Sequence, residues 1–443
     1  MNSSLAKKHS FFSLILFTLP NMIMMFFLSL YIIVDGIFIA RFVGTTALSA
    51  VNMIYPLISL QMAIGIMVSS GGSAIIAKKL GEKKAHESRQ NFSLIIAVIT
   101  FVGIIIALLG NLFINQIIIL LGANEIQFDL CRTYGRILLM FSPFFFLQTA
   151  FQAFFVTAGK PTIGLIVTVI AGFVNIILDY ILIVIFQMGI AGAAIGTGIG
   201  YCIPAIIGLF YFGVLRTNTL HFTKPTFDLN VLYKACSNGT SEMISNLSNA
   251  VTTFLFNYAF MKYYGVDGVA AITIVLYFQF VFTSIYFGYS MGVAPIISFK
   301  YGSGDTLQLK KIFKFSIIFL SFSSIFAYTV STSILDSILI IFTQKESNVF
   351  DIITNGFPIF SITFLFMSFN IFTSALFTAF SDGRISGIIS FCRTFVFLVG
   401  AILLLPMFLS EKGIWLSVPI AEALGIIVSI FFLIVNKKKY KFL

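Results

Sequence analysis

Long apolar runs follow one another along almost the whole chain and leave no room for a soluble domain. Of the 443 residues, 59% are hydrophobic and only 10% are charged. A helix needs about 20 apolar residues to cross a bilayer, and runs of that length recur from Phe11 onward. A membrane β-barrel would instead show alternating segments of about 10 residues. The pattern therefore predicts an all-α integral membrane protein.

We predict twelve transmembrane helices, at roughly 11–40, 46–77, 91–114, 130–158, 161–186, 189–215, 234–262, 267–298, 310–335, 350–380, 385–408 and 413–436. Lys and Arg are concentrated in the cytoplasmic segments of membrane proteins. With the N-terminus inside, the inner segments hold 20 of these residues and the outer segments 6, while Arg393 lies within a span. We therefore expect a multi-pass protein of the cell membrane with both termini cytoplasmic. The net charge of +11 reflects this bias and not a nucleic-acid partner.

The chain repeats itself at a shift of 221 residues. Glycines and a loop lysine of the two halves coincide without a gap: Gly44 with Gly265, Gly71 with Gly292, Gly81 with Gly302 and Lys79 with Lys300. We predict an N-terminal six-helix lobe (1–215), a cytoplasmic linker (216–233) and a C-terminal six-helix lobe (234–443). Because each lobe has an even number of spans, the two insert with the same orientation and form a parallel repeat. Two such lobes can rock about a central cavity, which favours a transporter.

Two aspartates, Asp35 and Asp179, lie within apolar spans, where a charge is costly and usually faces a wet cavity. At 1.5 Å per residue, Asp35 lies roughly 13 Å from the outer loop at Gly44, and Asp179 lies roughly 10 Å from the outer end of span five. Asn175 precedes Asp179 by one turn on the same helix face, and Thr197 reaches a similar depth. This oxygen set suits a hard cation such as Na⁺, and two desolvated carboxylates could instead exchange a proton. The alternative is that each acid is a hydrogen-bonded anchor between helices.

Two further acids fall within spans of the second half. Glu242 lies in the first turn of span seven, where the helix dipole favours a carboxylate, and Glu422 lies within span twelve. Each is either a structural group or a contact for a cationic substrate. Side chains of spans two and eight could line a substrate cavity through cation–π contact and adaptable packing, with core filling as the alternative: Met53, Tyr55, Gln61, Tyr277, Phe278, Gln279 and Phe282.

Several stretches together resemble the multidrug and toxic compound extrusion (MATE) family of cation-coupled efflux transporters. They include LPNMIMMFFLSLYIIVDGIFIARFVGTTALSAVN (19–52), KKLGEKK (78–84), FQAFFVTAGKPT (151–162), NIILDYILI (175–183), MGIAGAAIGTGIG (188–200), GTSEMISNLSNAVTTFLFN (239–257) and GIWLSVPIAEAL (413–424). The resemblance covers nearly the whole chain.

The resemblance implies a proton or sodium site on three helices of the first lobe, formed by Asp35, Asn175, Asp179 and Thr197. If the ion is Na⁺, the first three of these residues would be its metal ligands. Substrate would be carried in the cavity between the lobes. Some relatives use acids on spans seven and ten, but span ten of this chain carries Asn370, so a cation site in the second lobe is doubtful.

These features predict a secondary active exporter of amphipathic, often cationic organic compounds, in antiport with H⁺ or Na⁺. It would act as a monomer in the lipid bilayer and need no cofactor. The alternative is a lipid-linked oligosaccharide flippase of related architecture, which should carry several cavity cations for a pyrophosphate, yet the spans contain almost no buried Lys or Arg beyond Arg393. An enzyme is disfavoured because no span has a histidine, and the four cysteines form no CxxC pair.

Overall fold

The computed structural model describes residues 4–123, 125–215, 219–343 and 345–443, and within these ranges it contains helices and no strands. The α-helices are α1 (Phe11–Phe38), α2 (Thr45–Gly81), α3 (Ala85–Leu112), α4 (Ile114–Leu120), α5 (Glu125–Met140), α6 (Ser142–Thr157), α7 (Pro161–Asp179), α8 (Gly189–Val214), α9 (Leu229–Asn238), α10 (Thr240–Ser303), α11 (Thr306–Ser333), α12 (Leu335–Phe342), α13 (Asn348–Ser361), α14 (Thr363–Ala379), α15 (Gly383–Phe391) and α16 (Gly400–Tyr440). Three stretches are π-helical: Ile39–Val43, Tyr180–Ile185 and Cys392–Val399.

Within the described ranges, eight continuous helical segments are long and apolar enough to cross a membrane. Two of the eight, Thr240–Ser303 and Gly383–Tyr440, contain 64 and 58 residues, which is about twice what one span needs. Two further spans are bent pairs of shorter helices, α5 with α6 (55°) and α13 with α14 (48°). These pairs are spans four and ten, so they occupy the same position in the two halves, as a duplicated chain requires.

The two longest segments are helical hairpins. The backbone leaves the helical region at Gly265 (φ 65°) in α10 and at Ser410 (φ 50°) in α16. A Cβ atom on Gly268 would lie only 2.7 Å from the Phe260 carbonyl oxygen, whereas residues eight apart in a straight helix are separated by about 12 Å. With each hairpin counted as two spans, the described part of the chain has twelve, and the predicted fold class is confirmed.

The two lobes meet backbone to backbone at the end of the bundle that carries the chain termini. There, α2 crosses the second half of α10. A Cβ atom on Gly81 would overlap the carbonyl oxygen of Phe299, and one on Gly302 would overlap that of Lys78. Gly81 and Gly302 are the glycines that the internal repeat pairs. Membrane helices associate through close packing of this kind, because the hydrophobic effect does not favour contact between helices that are already in lipid.

The segment between the lobes is only partly helical. The α8 helix ends at Val214, the chain from 219 to 228 is irregular, and α9 begins at Leu229 after an N-cap at Asp228. Arg216, at the start of the predicted linker 216–233, lies outside the described residues. The exact division of the chain into lobes and linker stays a prediction.

Candidate functional site

The four residues predicted as an ion site are carried by α1, α7 and α8. Asn175 and Asp179 lie one turn apart on α7 and are 1% and 0% exposed, and Thr197 on α8 is 5% exposed. Asp35, near the end of α1, is half-buried. Both aspartates lie within four residues of a π-helical stretch, an irregularity that is frequent at functional sites.

A line of glycines on α8 makes room for these side chains. Gly192, Gly196 and Gly200 recur every four residues on the face that α8 turns to α7. A Cβ atom on Gly196 would overlap Oδ1 of Asp179, whereas one on Gly200 would lie 3.5 Å from Cβ of Asn175, at ordinary contact distance. Glycine at 196 therefore allows the Asp179 carboxyl group to lie directly on the neighbouring helix.

The carboxyl groups of Asp35 and Asp179 lie close enough together to interact electrostatically. Two carboxylates cannot bond to each other unless one carries a proton or a cation lies between them, because neither has a donor hydrogen. The structure thus brings together the two acids that the sequence places on separate spans.

Most of the polar atoms in this group have no hydrogen-bond partner within the described part of the protein. They are Oδ1 of Asp35, both polar side-chain atoms of Asn175, both carboxylate oxygens of Asp179 and Oγ1 of Thr197. Leaving a buried polar atom unsatisfied costs about 1–3 kcal/mol. All four residues of the predicted ion site share this property among the described residues. Clusters of three or more His, Cys, Asp or Glu do not occur among the described residues, so the candidate site has two acids and two neutral residues.

Three tyrosines that were not predicted from the sequence lie near the acidic pair. Tyr31, Tyr134 and Tyr201 all lie within electrostatic range of the Asp35 carboxyl group. The signal was present in the spacing, because Tyr31 precedes Asp35 by four residues and Tyr201 follows Thr197 by four. Each is thus on the same helix face as a predicted ligand.

A cavity extends from this group between the spans of the first lobe. Asn175 borders it together with Tyr31 and Tyr201, and the remaining lining includes Gln148, Gln152 and Thr168. Inside it, Nε2 of Gln152 donates a hydrogen bond to Oγ1 of Thr168 (3.3 Å). Polar side chains from several helices thus reach this cavity, although apolar atoms form most of its lining.

Comparison with known proteins identifies the family. The family model MatE matches residues 20–181 and again residues 243–403, once in each half of the chain. The chain belongs to the MatE family. The two separate matches also agree with the internal repeat, and the predicted family resemblance is confirmed.

Two curated relatives are multidrug export proteins named MepA. The one from Staphylococcus haemolyticus (strain JCSC1435) is 29% identical over 315 residues, 70% of this chain and 68% of that protein. The one from Staphylococcus saprophyticus subsp. saprophyticus is 27% identical over 306 residues, 68% of this chain and 67% of that protein. A solved structure described as the outward-facing conformation of a multidrug resistance MATE family transporter has a TM-score of 0.92, with 20% identity over 98% of this chain and 97% of that chain.

The second lobe of this MatE protein holds an acid that is fully paired. Arg393 donates from Nε to both oxygens of Glu422 (2.8 and 2.9 Å) and from Nη2 to Oε1 (2.6 Å). Asn370 adds a hydrogen bond from Nδ2 to Oε2 (2.7 Å), and its own Oδ1 accepts one from Ser429 (3.0 Å). Arg393 thus supplies the positive charge beside Glu422, whereas Asp35 and Asp179 have no ion pair with a basic residue among the described residues.

Glu242 is also buried and hydrogen-bonded. Its Oε2 accepts a hydrogen bond from the Ser241 hydroxyl (2.5 Å), and its Oε1 accepts one from Thr378 (3.4 Å). Thr378 and Ser386 are in turn joined by a hydroxyl–hydroxyl bond (2.7 Å). The structure therefore places Glu242 and Glu422 in separate polar networks, and a substrate contact for either stays a prediction.

The candidate cavity residues of spans two and eight fall into two groups. Gln61 and Phe278 are buried, the first accepting a hydrogen bond from Ser142 (2.9 Å) and the second packing on Phe357 with ring centroids 5.4 Å apart. The remaining five side chains are half-buried or exposed: Met53, Tyr55, Tyr277, Gln279 and Phe282. Their role as substrate contacts stays a prediction.

Proposed function

We propose that this protein is a secondary active multidrug exporter that moves amphipathic, often cationic organic compounds out of the cell in antiport with H⁺ or Na⁺. The coupling ion would bind at Asp35, Asn175, Asp179 and Thr197. Both termini would be cytoplasmic, as the lysine and arginine bias favours, and the protein would act as a monomer. Membership of the MatE family and the likeness to multidrug export proteins support transport and export.

The observation that carries the ion site is the unpaired state of its buried atoms. An anchor between helices would have its polar atoms bonded to the neighbouring helix, as Glu422 has with Arg393 and Asn370. Asp179 is fully buried, and neither of its carboxylate oxygens has such a partner in the described chain. A proton shared between Asp35 and Asp179, or a cation held by the oxygens of the group, would relieve that cost.

The ion and the substrate would be linked through the two conformations of the transporter. A ligand shifts a conformational equilibrium only by its different affinity for the two states. The four residues lie on α1, α7 and α8, so a relative movement of these helices changes the distances among their oxygens. Ion binding in one state and release in the other would then drive the lobes between outward- and inward-open forms.

The flippase alternative gains no support from Arg393, a basic residue within a span. Arg393 is held by Glu422 through three hydrogen bonds. A guanidinium group in that arrangement is not available to a pyrophosphate unless the ion pair breaks, which is strongly unfavourable for a buried pair.

The test is substrate efflux from proteoliposomes, with a pH gradient and a sodium gradient imposed separately. We expect one of the two gradients to drive efflux by the wild-type protein. The Asp35→Asn and Asp179→Asn variants should lose gradient-driven efflux, because an amide can neither release a proton nor supply a charged ligand to Na⁺. Asp351→Asn is a matched control, since Asp351 is exposed at the first turn of α13. Gradient-driven efflux by the Asp35→Asn, Asp179→Asn double variant at the wild-type rate would refute the coupling site.

A further inference from the structure

The C-terminal tail is fixed to the end of the second lobe by two aromatic side chains. Tyr440 is buried, with its ring stacked on Phe380 at 4.5 Å, and Phe442 is buried with its ring 5.5 Å from the same partner. The Tyr440 hydroxyl donates a hydrogen bond to Asp382, which also pairs with Lys439 (2.9 Å). The tail is therefore part of the folded structure.

Asp382 is the N-cap of α15, and its carboxylate also receives the backbone N–H of Ile385 (3.4 Å). Burial alone would raise the pKa of Asp382, but the hydrogen bonds from Tyr440 and Lys439 outweigh burial and lower it. The carboxylate therefore stays ionised and keeps its contacts with Tyr440 and Lys439.

Four lysines beside these anchors line one groove. Lys437, Lys438 and Lys441 come from the end of α16, and Lys310 comes from the first turns of α11; Thr306 completes the polar part of the lining. All four lysine side chains are exposed. Because the aromatic anchors fix the backbone of the tail, the ammonium groups are gathered before any ligand arrives, which lowers the entropic cost of binding.

The groove has a strong excess of positive charge. None of the four lysines is in an ion pair with an acid of the described chain. The nearby Asp305 is already paired with Lys300 (3.3 Å).

We propose that this groove binds the phosphate of an anionic phospholipid headgroup in the cytoplasmic leaflet. The location favours lipid over a free phosphate ion, because the lining residues stand where one membrane span begins and another ends. A lysine near an anionic membrane surface strengthens binding by about fivefold. This site is separate from the proposed ion site, and its test does not depend on transport.

The test compares the purified full-length protein in nanodiscs of phosphatidylcholine, with or without phosphatidylglycerol, and counts retained phosphatidylglycerol by native mass spectrometry. In the variant Lys310→Gln, Lys437→Gln, Lys438→Gln, Lys441→Gln we expect retention to fall at least tenfold. The control Lys8→Gln, Lys83→Gln, Lys224→Gln, Lys234→Gln removes the same charge from exposed lysines elsewhere. It should retain the lipid as the wild type does.

A second variant separates charge from geometry. Phe442→Ala keeps every lysine but removes an anchor of the tail, and we expect it to retain severalfold less lipid than the wild type. Melting in pure phosphatidylcholine shows whether each variant is folded. Equal lipid retention by the groove variant and its control would overturn the proposal. A thermal stabilisation by inorganic phosphate alone as large as that by phosphatidylglycerol would overturn the assignment to a lipid.

Discussion

Replacing Gly196 by alanine changes the proposed ion site without altering any of its polar groups. A Cβ atom at this position would overlap Oδ1 of Asp179, while Cγ and the backbone nitrogen of Asp179 would lie 3.5 and 3.6 Å away. Only the carboxylate oxygen is too close, so α7 and α8 need not separate. We expect the Asp179 carboxyl group to turn away from its position and the fold to remain intact.

The size of the effect follows from comparison with Gly200→Ala, one turn further along the same helix. Alanine improves the helix propensity at both sites by about 1 kcal/mol, so this gain cancels in the comparison. Overpacking of a buried contact costs about 1–3 kcal/mol, and it applies only at Gly196. If this overpacking destabilises the ion-bound form and not the ion-free form, the affinity for the coupling ion falls about 5- to 150-fold.

The assay measures efflux in proteoliposomes as a function of the driving ion, beside thermal unfolding. Gly196→Ala should need 5- to 150-fold more of the ion for half-maximal efflux, with a melting temperature close to that of Gly200→Ala. Gly200→Ala should behave as the wild type, because its Cβ would make ordinary contacts. The reasoning fails if the two variants show the same ion dependence.

Two further predictions concern the second lobe and the end of the bundle where α2 crosses α10. Arg393→Gln should lower the free energy of unfolding by about 3–5 kcal/mol, because it leaves the Glu422 carboxylate buried without its cation. Adding Glu422→Gln should restore most of this loss, as measured by chemical unfolding. A double variant as unstable as the single one would contradict this prediction. Gly81→Ala should separate the lobes where they cross, because its Cβ would overlap the Phe299 carbonyl oxygen. Overpacking of about 1–3 kcal/mol lowers the ratio of joined to separated lobes at this crossing 5- to 150-fold. Thiol labelling of single cysteines near the crossing detects the change. Gly387→Ala is the control, because its Cβ would meet no atom within 4 Å.

Much of the ion site was predictable because its signals are local. The polarity of a residue inside an apolar run is read directly, and the four-residue spacing of Asn175 and Asp179 places both on one helix face. The same rule would have found Tyr31 from Asp35 and Tyr201 from Thr197. Tyr134 has no such relation to the other residues, and only the packing of α5 brings it near the acids.

The ion pair of the second lobe could not be predicted from local sequence spacing. Glu422 and Arg393 are 29 residues apart in the sequence and lie on different helices, and nothing in their spacing predicts three hydrogen bonds between them. Nor does the sequence reveal that Tyr440 and Phe442 fix the tail, since a row of lysines ending a chain looks the same whether it is folded or free. Such contacts depend on how each helix is rotated about its axis.

The amino-acid sequence alone determined that this is an all-helical membrane protein, that it has twelve spans, and that its two halves form an internal repeat. Length, apolarity and repetition decide these properties, because a chain in lipid must satisfy its backbone within each helix. Only the tertiary structure decided which buried charges are paired. Helices in a bilayer take their rotation and depth from close contacts at small residues such as Gly196 and Gly81. Among the residues that the structure describes, the resulting packing leaves the carboxylate oxygens of Asp179 without a hydrogen-bond partner, whereas Glu422 is bonded to Arg393.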